Sequence, residues 1–368
     1  MKLKELQLQH FRNFKTLDVT FDGQVTFLVG RNAQGKTNLL EAIYSLALTK
    51  SHRTHTDQEL ILWNEPWARV SAKLDKKYGA CDLDIIWTPK GKKTKINGLE
   101  QKKLSDFVGM CNVVLFAPED LEIVKGAPAN RRRFLDMELG QVQPAYIHLL
   151  SRYQKVLTQR NQLLKQSAVR GMISDSIGHS LFDVWNEQLI ELGMQVSQRR
   201  RLFIDQLNKW ANPIHHGITD GQEQLKLIYK SGIPEDNPDI WRDKLVAQLD
   251  REIRQSTTLT GPHRDDFTFM VNERDVQTYG SQGQQRTTAL SVKLAEMELI
   301  HHEIGEYPLV LLDDVLSELD PYRQTHLLET VQERAQVFIT TTSLDGVNWK
   351  KMKDPVCYHV VDGGIARS

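Results

Sequence analysis

The stretch Gly30-Arg31-Asn32-Ala33-Gln34-Gly35-Lys36-Thr37 has the residue types that hold a triphosphate, at the spacing such a site needs. It satisfies G-x-x-x-x-G-K-[ST] at every fixed position. Glycines let backbone N–H groups converge on phosphate oxygens, and a helix opening at the end of the loop adds its positive dipole end. Lys36 would reach the β and γ phosphates, and the Thr37 hydroxyl would hold Mg²⁺. A second group lies far along the chain, where the apolar run Leu309-Val310-Leu311-Leu312 ends in Asp313-Asp314. A buried strand ending in an acid delivers a carboxylate to the place where Mg²⁺ on a triphosphate sits. Asp313 would coordinate that metal through water, and Asp314 would polarise the attacking water. A third group is Ser281-Gln282-Gly283-Gln284. There, a helix opens with Ser281, the bare amide of Gly283 and Gln284, which together make an anion site.

Each group needs an element to position it. Val25 to Val29 is an apolar run entering the loop, and Asn38 to Leu46 has helical spacing directly after it. Strand, glycine-rich turn and helix therefore come in the order the motif requires. Lys2 to Leu8 and Leu17 to Phe21 alternate and read as earlier strands. Between them, Arg12 in Phe11-Arg12-Asn13-Phe14 is either a solvated turn residue or a contact to the nucleotide. Thr49 to Asp57 reads as a loop, since His52 and His55 lack the neighbours of a metal site. Arg69 to Leu74, Ala80 to Trp87 and Lys92 to Ile96 read as an antiparallel meander. Cys111 to Phe116 reads as another buried strand.

From about Asn130 to Gln255 the periodicity becomes helical. Pro144 to Gln166 and His179 to Trp210 each carry an apolar face, with the Gly- and Ser-rich linker Arg170 to Gly178 between them. That pattern predicts an antiparallel hairpin about 35–45 Å long at 1.5 Å per residue. Arg131-Arg132-Arg133 and Arg199-Arg200-Arg201 are basic clusters on or beside it, read as a solvated face or as phosphate contacts. Beyond Thr260, strands and turns return. The expected organisation is an α/β head with a mixed sheet and an antiparallel β subdomain, plus a helical arm. Residues 1–129 and 257–368 would form the head, and residues 130–256 the arm.

Composition narrows the function. At 368 residues the chain exceeds one ordinary core, so two lobes are expected. The 47 Lys and Arg equal the 47 Asp and Glu, so any nucleic-acid binding must come from a local patch. No apolar run reaches membrane-spanning length, and the charged N-terminus is not a signal peptide. A soluble cytoplasmic protein is expected. Cys81, Cys111 and Cys357 form no C-x-x-C and imply neither disulfides nor zinc.

The order of the three groups resembles that of ATP-binding-cassette (ABC) ATPases. Ser281 to Gln284 falls where their signature lies, and Ser317-Glu318-Leu319-Asp320 falls where their D-loop lies. A closer resemblance is to the RecF family of bacterial DNA replication and repair proteins, relatives of the structural-maintenance-of-chromosomes (SMC) ATPases. It is carried by Phe11 to Phe14, Gly30 to Thr37, Pro118 to Leu121, Arg131 to Asp136, Gly261 to Asp266, Ser281 to Arg286 and Leu312 to Asp320. It runs over essentially the whole chain. The likeness implies a P-loop ABC-type head with a short helical arm, ATP and Mg²⁺ as cofactors, and a homodimer that forms on ATP. It also implies weak DNA-stimulated ATP hydrolysis, binding to gapped or junction DNA, and recombinase loading with RecR and RecO. Arg131, Arg132, Arg133, Arg152 and Lys155, with Arg160 and Lys165, are then the candidate DNA contacts.

Three departures stand out. Asp314 replaces the usual glutamate, and a shorter carboxylate suits a slow switch more than a motor. No histidine follows the last core strand at Thr340-Thr341-Thr342, and Glu119 occupies the loop where cassette ATPases keep a glutamine. A transporter subunit is disfavoured by the long helical insert and by Phe11 to Phe14. A long coiled coil is excluded by length.

Overall fold

The five residues of β3 (Val25–Val29) are all buried, as a run apolar except for Thr26 should be when neighbouring strands flank it on both sides. The structure that contains it is a computed structural model, which describes residues 1–170, 176–233, 237–344 and 349–368. β3 belongs to a six-stranded sheet with β8 (Val113–Phe116), β12 (Leu309–Asp313), β13 (Val337–Thr341), β14 (Pro355–Val361) and β15 (Gly364–Arg367). The order is β15-β14-β3-β13-β12-β8, parallel except for the antiparallel edge strand β15. Strands from the two ends of the sequence therefore lie side by side, and the ends of β3 and β12 flank β13.

A second six-stranded sheet is antiparallel, ordered β2-β1-β4-β5-β6-β7. Its strands are β1 (Lys2–Phe11), β2 (Phe14–Thr20), β4 (Ala68–Lys76), β5 (Gly79–Thr88), β6 (Gly91–Ile96) and the short β7 (Leu99–Glu100). These are the strands and meander expected from alternation. Helix α1 (Lys36–Leu48) lies between the two sheets and is buried almost all round. Its Leu39, Leu40, Ile43 and Leu46 share one core with Leu6, Val70 and Trp87 of the antiparallel sheet and with Leu28, Leu115 and Leu311 of the parallel one.

Chain segments between the two halves of the head build the arm. The helices are α2 (Leu121–Lys125), α3 (Pro128–Val142), α4 (Pro144–Arg170), α5 (Ser176–Ile218) and α6 (Pro238–Gln255). Part of the linker read from Arg170 to Gly178, residues 171–175, lies outside the described residues. α5 is 43 residues long, about 65 Å at 1.5 Å per residue, and continues past Trp210 through Pro213. Pro213 cannot donate to the helix ladder and weakens the helix locally. Packing overrides that weakness, for Leu207 and Ala211 are fully buried in the core of the arm. β9 (Leu225–Lys230) pairs with β10 (Asp266–Val271), which pairs in turn with β11 (Arg274–Asp275). This three-stranded sheet runs across the boundary expected at 256/257.

Next come the four-residue α7 (Val276–Tyr279), α8 (Gln282–Ile304) and α9 (Pro321–Gln332). α8 joins arm and head. Its Val292, Ala295 and Leu299 pack in the arm core, while Leu290, Leu294 and Met297 pack against Phe27, Leu312 and Ile339 of the parallel sheet.

Ion pairs hold the arm, and they account for several residues of the basic clusters. Arg160 is fully buried and donates to Glu252 at 2.6 Å, Asn186 at 2.8 Å and Thr258 at 2.8 Å. Arg200 bonds Asp136, the Tyr146 hydroxyl and the Pro262 carbonyl. Asp265 accepts from Ser197, Tyr229 and the Gly232 amide, so the segment Gly261 to Asp266 ties α5, β9 and α3 together. Arg160→Met is expected to lower stability by about 3–5 kcal/mol in urea unfolding, because it leaves Glu252 buried without its cation. An unchanged midpoint would contradict that role.

Candidate nucleotide site

The loop from Gly30 to Lys36 leaves the C-terminal end of β3 and folds into α1. Two glycines are required by geometry. A Cβ on Gly30 would stand 2.4 Å from the Val360 carbonyl oxygen of β14. Gly35 is in the left-handed region at φ +110°, and its Cβ would meet the Asn13 side chain at 2.7 Å. Arg31, Asn32 and Ala33 form the exposed turn between them, with Ala33 at φ +66°.

Neighbouring elements brace the loop. Gln34 accepts from the Asp362 amide at 2.7 Å through its side chain. Its backbone carbonyl accepts from the Gly363 amide at 3.2 Å and from Asn13 Nδ2 at 3.2 Å. Asn13 in turn accepts from Asn38 Nδ2 at 2.8 Å. The β1–β2 turn and the β14–β15 turn thus grip the loop from two sides. Lys36 Nζ donates to the carbonyls of Gly30 at 2.6 Å and Arg31 at 2.9 Å. Burial holds its pKa below the ordinary lysine value, partly offset by Asp314 and Asp313.

The two ends of the sequence meet at Thr37. Its hydroxyl donates to Asp313 Oδ1 at 3.0 Å, linking the first turn of α1 to the end of β12. The same Oδ1 accepts from the Thr340 hydroxyl at 2.8 Å. Asp314 is exposed and sits in the left-handed region at φ +53°. A hydroxyl and a carboxylate that close together, beside a loop of free amides, fit a hard cation. Mg²⁺ takes one or two protein oxygens and completes its shell with phosphate and water.

Ser281 is placed differently. It caps α8, with its hydroxyl accepting from the Gln284 amide at 3.2 Å while Gln284 Oε1 accepts from the Ser281 amide at 3.0 Å. Ser281 is exposed and Gly283 half-buried, and among the described residues the serine hydroxyl bonds only within this first turn. It meets neither Lys36 nor Asp313. Ser317 Oγ donates to the Asp314 carbonyl at 2.7 Å, and Asp320 caps α9 through the Arg323 amide at 3.0 Å. In the loop after β8, Asp120 accepts from the Ala117 amide at 2.9 Å and burial pushes its pKa up to about 6, while Glu119 is exposed.

Three expectations need correction. Arg12 does not meet the loop. Its guanidinium donates to both oxygens of Glu41 on α1, at 2.8 and 2.6 Å, and to the Glu59 carbonyl. Glu41 is fully buried, so it requires a cation. Burial pushes its pKa up, but the hydrogen bonds from Arg12 and Ser51 outweigh that and hold it below the ordinary value. Arg131 is no free phosphate contact, being 3% exposed, paired with both oxygens of Asp266 and bonded to the Gly126 carbonyl. Arg160 is excluded by the buried network described above. Arg132 is half-buried and donates to the Asp265 carbonyl, whereas Arg133, Arg152, Lys155 and Lys165 are exposed.

Sequence reasoning missed Arg53, which donates to Asn38 Oδ1 at 2.9 Å and lies 3.8 Å from Glu41. It also missed Asn13, Thr340 and the C-terminal turn. Their neighbours lie far away in sequence, so no local pattern marks them.

The family model described as RecF/RecN/SMC N terminal domain matches residues 2–361. A protein of Exiguobacterium sp. (strain ATCC BAA-1283 / AT1b), described as DNA replication and repair protein RecF, is 53% identical over 372 residues, covering 99% of each chain. The chain belongs to the RecF family. A RecF of Bacillus cereus (strain G9842) is 50% identical over 99% of this chain and 98% of its own. Among solved structures, the recombination mediator protein RecF with ATP, in the RecFOR pathway, superposes with a TM-score of 0.91 at 33% identity. It covers 100% of this chain and 97% of that one. The Smc head domain of Pyrococcus furiosus superposes at 0.56 and 16% identity, a likeness of fold alone. RecF membership accounts for the ABC-type head and for the arm built into it. No helix among the described residues is long and apolar enough to cross a membrane.

Proposed function

We propose that this RecF family member is an ATP-dependent DNA-binding ATPase of recombinational repair and replication. It assembles head to tail as a dimer on ATP. The observation that carries this reading is the split between two half-sites. Lys36, Thr37 and Asp313 converge on one loop, while Ser281 stands exposed at the start of α8 and touches none of them. A head with one of each closes the site only by meeting a second copy, which brings its own Ser281 to the opposite side.

In that assembly the loop amides from Arg31 to Thr37 bind the phosphates, and Lys36 neutralises them. Thr37 and Asp313 would hold Mg²⁺, which would supply positive charge to the phosphate oxygens. Asp314, exposed beside Asp313, orients and deprotonates the attacking water. Ser281, the Gly283 amide and Gln284 of the second copy complete the anion site. Loss of the γ-phosphate then removes what both copies grip, so hydrolysis releases the dimer.

DNA, gapped or at a junction and read without sequence preference, is the proposed substrate surface. Arg133, Arg152, Lys155 and Lys165 are the exposed cations left as candidate phosphate contacts. RecR and RecO are the proposed partners, and the cytoplasm the proposed location. Residues 1–129 and 257–368 are proposed to act as the ATPase head and 130–256 as the arm, with the β9-β10-β11 sheet joining the two across residue 256. The test is Asp314→Asn, which keeps the size of the side chain and removes its basicity. It is expected to cut ATP turnover by about a hundredfold or more, the range of a lost general base, and to hold an ATP-dependent dimer on gapped duplex. Unchanged turnover would remove Asp314 from the mechanism.

A further inference from the structure

β13 lies between the strand that feeds the phosphate loop and the strand that ends in the acidic pair. Its last two residues touch both. The Thr341 carbonyl accepts from the Gly30 amide at 3.3 Å, at the start of the loop. The Thr340 hydroxyl donates to Asp313 Oδ1 at 2.8 Å and accepts from the Asp314 amide at 2.9 Å. One buried hydroxyl, on a residue 2% exposed, thus binds the carboxylate of one aspartate and the backbone of the next.

The backbone turns at that point. Asp314 is at φ +53°, ψ +17°, the left-handed region that aspartate enters more readily than most side-chain-bearing residues, and neighbours hold it there. The Thr340 hydroxyl fixes its amide and Ser317 Oγ fixes its carbonyl at 2.7 Å. The left-handed turn directs the chain away from the sheet immediately after Asp313, leaving the Asp314 side chain exposed beside the loop.

We propose that Thr340 is a positioning residue for ATP hydrolysis, holding Asp313 at the metal position and Asp314 in the turn that presents its carboxylate to water. The inference rests on the reading of the two aspartates given above. Thr340 acts through both acids, to which its hydroxyl is bonded. It stands at the strand end where cassette ATPases go on to a histidine that this chain lacks.

Thr340→Val tests this, since it keeps the β-branched shape that suits a buried strand and removes only the hydroxyl. Thr340→Ser restores the hydroxyl on a smaller side chain. The expected result for Thr340→Val is a fall in kcat of thirtyfold or more, with KM for ATP and the affinity for MgATP each within threefold of wild type. The Mg²⁺ concentration for half-maximal rate should rise, because Asp313 loses a partner that orients it. Thr340→Ser should recover most of kcat. Equal kcat for wild type and Thr340→Val would overturn the proposal. So would Thr340→Ser as slow as Thr340→Val, or a lowered melting temperature with kcat intact. Failure of the wild-type chain to bind MgATP in a fluorescence titration would instead sink the underlying reading of the site.

Discussion

Lys36→Met is expected to abolish measurable ATP binding. The lysine side chain is 8% exposed, arches over the loop between the Gly30 and Arg31 carbonyls, and lies in the field of Asp313 and Asp314. It is the cation the loop folds around, and without it Asp313 and Asp314 would repel the phosphates. A charge-assisted hydrogen bond contributes about 1.5–3 kcal/mol. Losing contacts to two phosphate groups should therefore weaken binding by at least about a hundredfold, where 1.4 kcal/mol is tenfold. Methionine keeps the length and the apolar stem, so α1 and both sheets should persist. Calorimetric titration with MgATP reads the affinity, and the unfolding midpoint reports the fold. Tight binding by Lys36→Met would mean that the loop amides alone carry the affinity.

Ser281→Arg should do the opposite. ATP binding should stay within a few fold of wild type, because Ser281 makes no contact with the loop of its own chain. Assembly should fail, because a guanidinium replaces a hydroxyl at an exposed face meant for the γ-phosphate of a second copy. Loss of the cap costs about 1 kcal/mol. α8 can bear that, since every residue from Thr287 to Ile300 is buried between arm and head. Ser281→Ala removes the same cap without adding bulk or charge and serves as the control. Light scattering in MgATP should give a monomer mass for Ser281→Arg and a dimer mass for wild type. A dimer from Ser281→Arg would place the assembly face elsewhere.

The phosphate loop and the acidic strand were legible because their chemistry is local. A glycine directly after a strand, a lysine at a helix start and an acid at a strand end each announce their role within a few residues. The sheets were legible for a similar reason, since period-two burial along β4 and β5 mirrors the alternation in sequence. The arginines were not. Arg131, Arg160 and Arg200 look like basic positions on a solvated arm, yet their carboxylates lie 135, 92 and 64 residues away. Only folding shows that they are internal struts, and the candidate DNA surface shrinks accordingly. Arg12 misled for the same reason, since its partner Glu41 sits inside a helix whose other buried side chains are nearly all apolar. Thr340 was visible as part of Thr340-Thr341-Thr342, but its importance depends on a sheet order that brings residues 30, 313 and 340 together. α5 runs on past the expected end at Trp210 through Pro213, because packing against the arm core holds its last turns.

The central claim is that each ATP site is shared between two copies. Mixing Lys36→Met with Ser281→Arg tests it directly. In a mixed dimer, one site combines the defective loop with the defective cap, while the other combines the intact loop of one chain with the intact Ser281 of its partner. A shared site predicts that the mixture hydrolyses ATP at a rate that neither variant shows alone, rising with the product of the two concentrations. A mixture whose rate is only the sum of its two components would contradict the account.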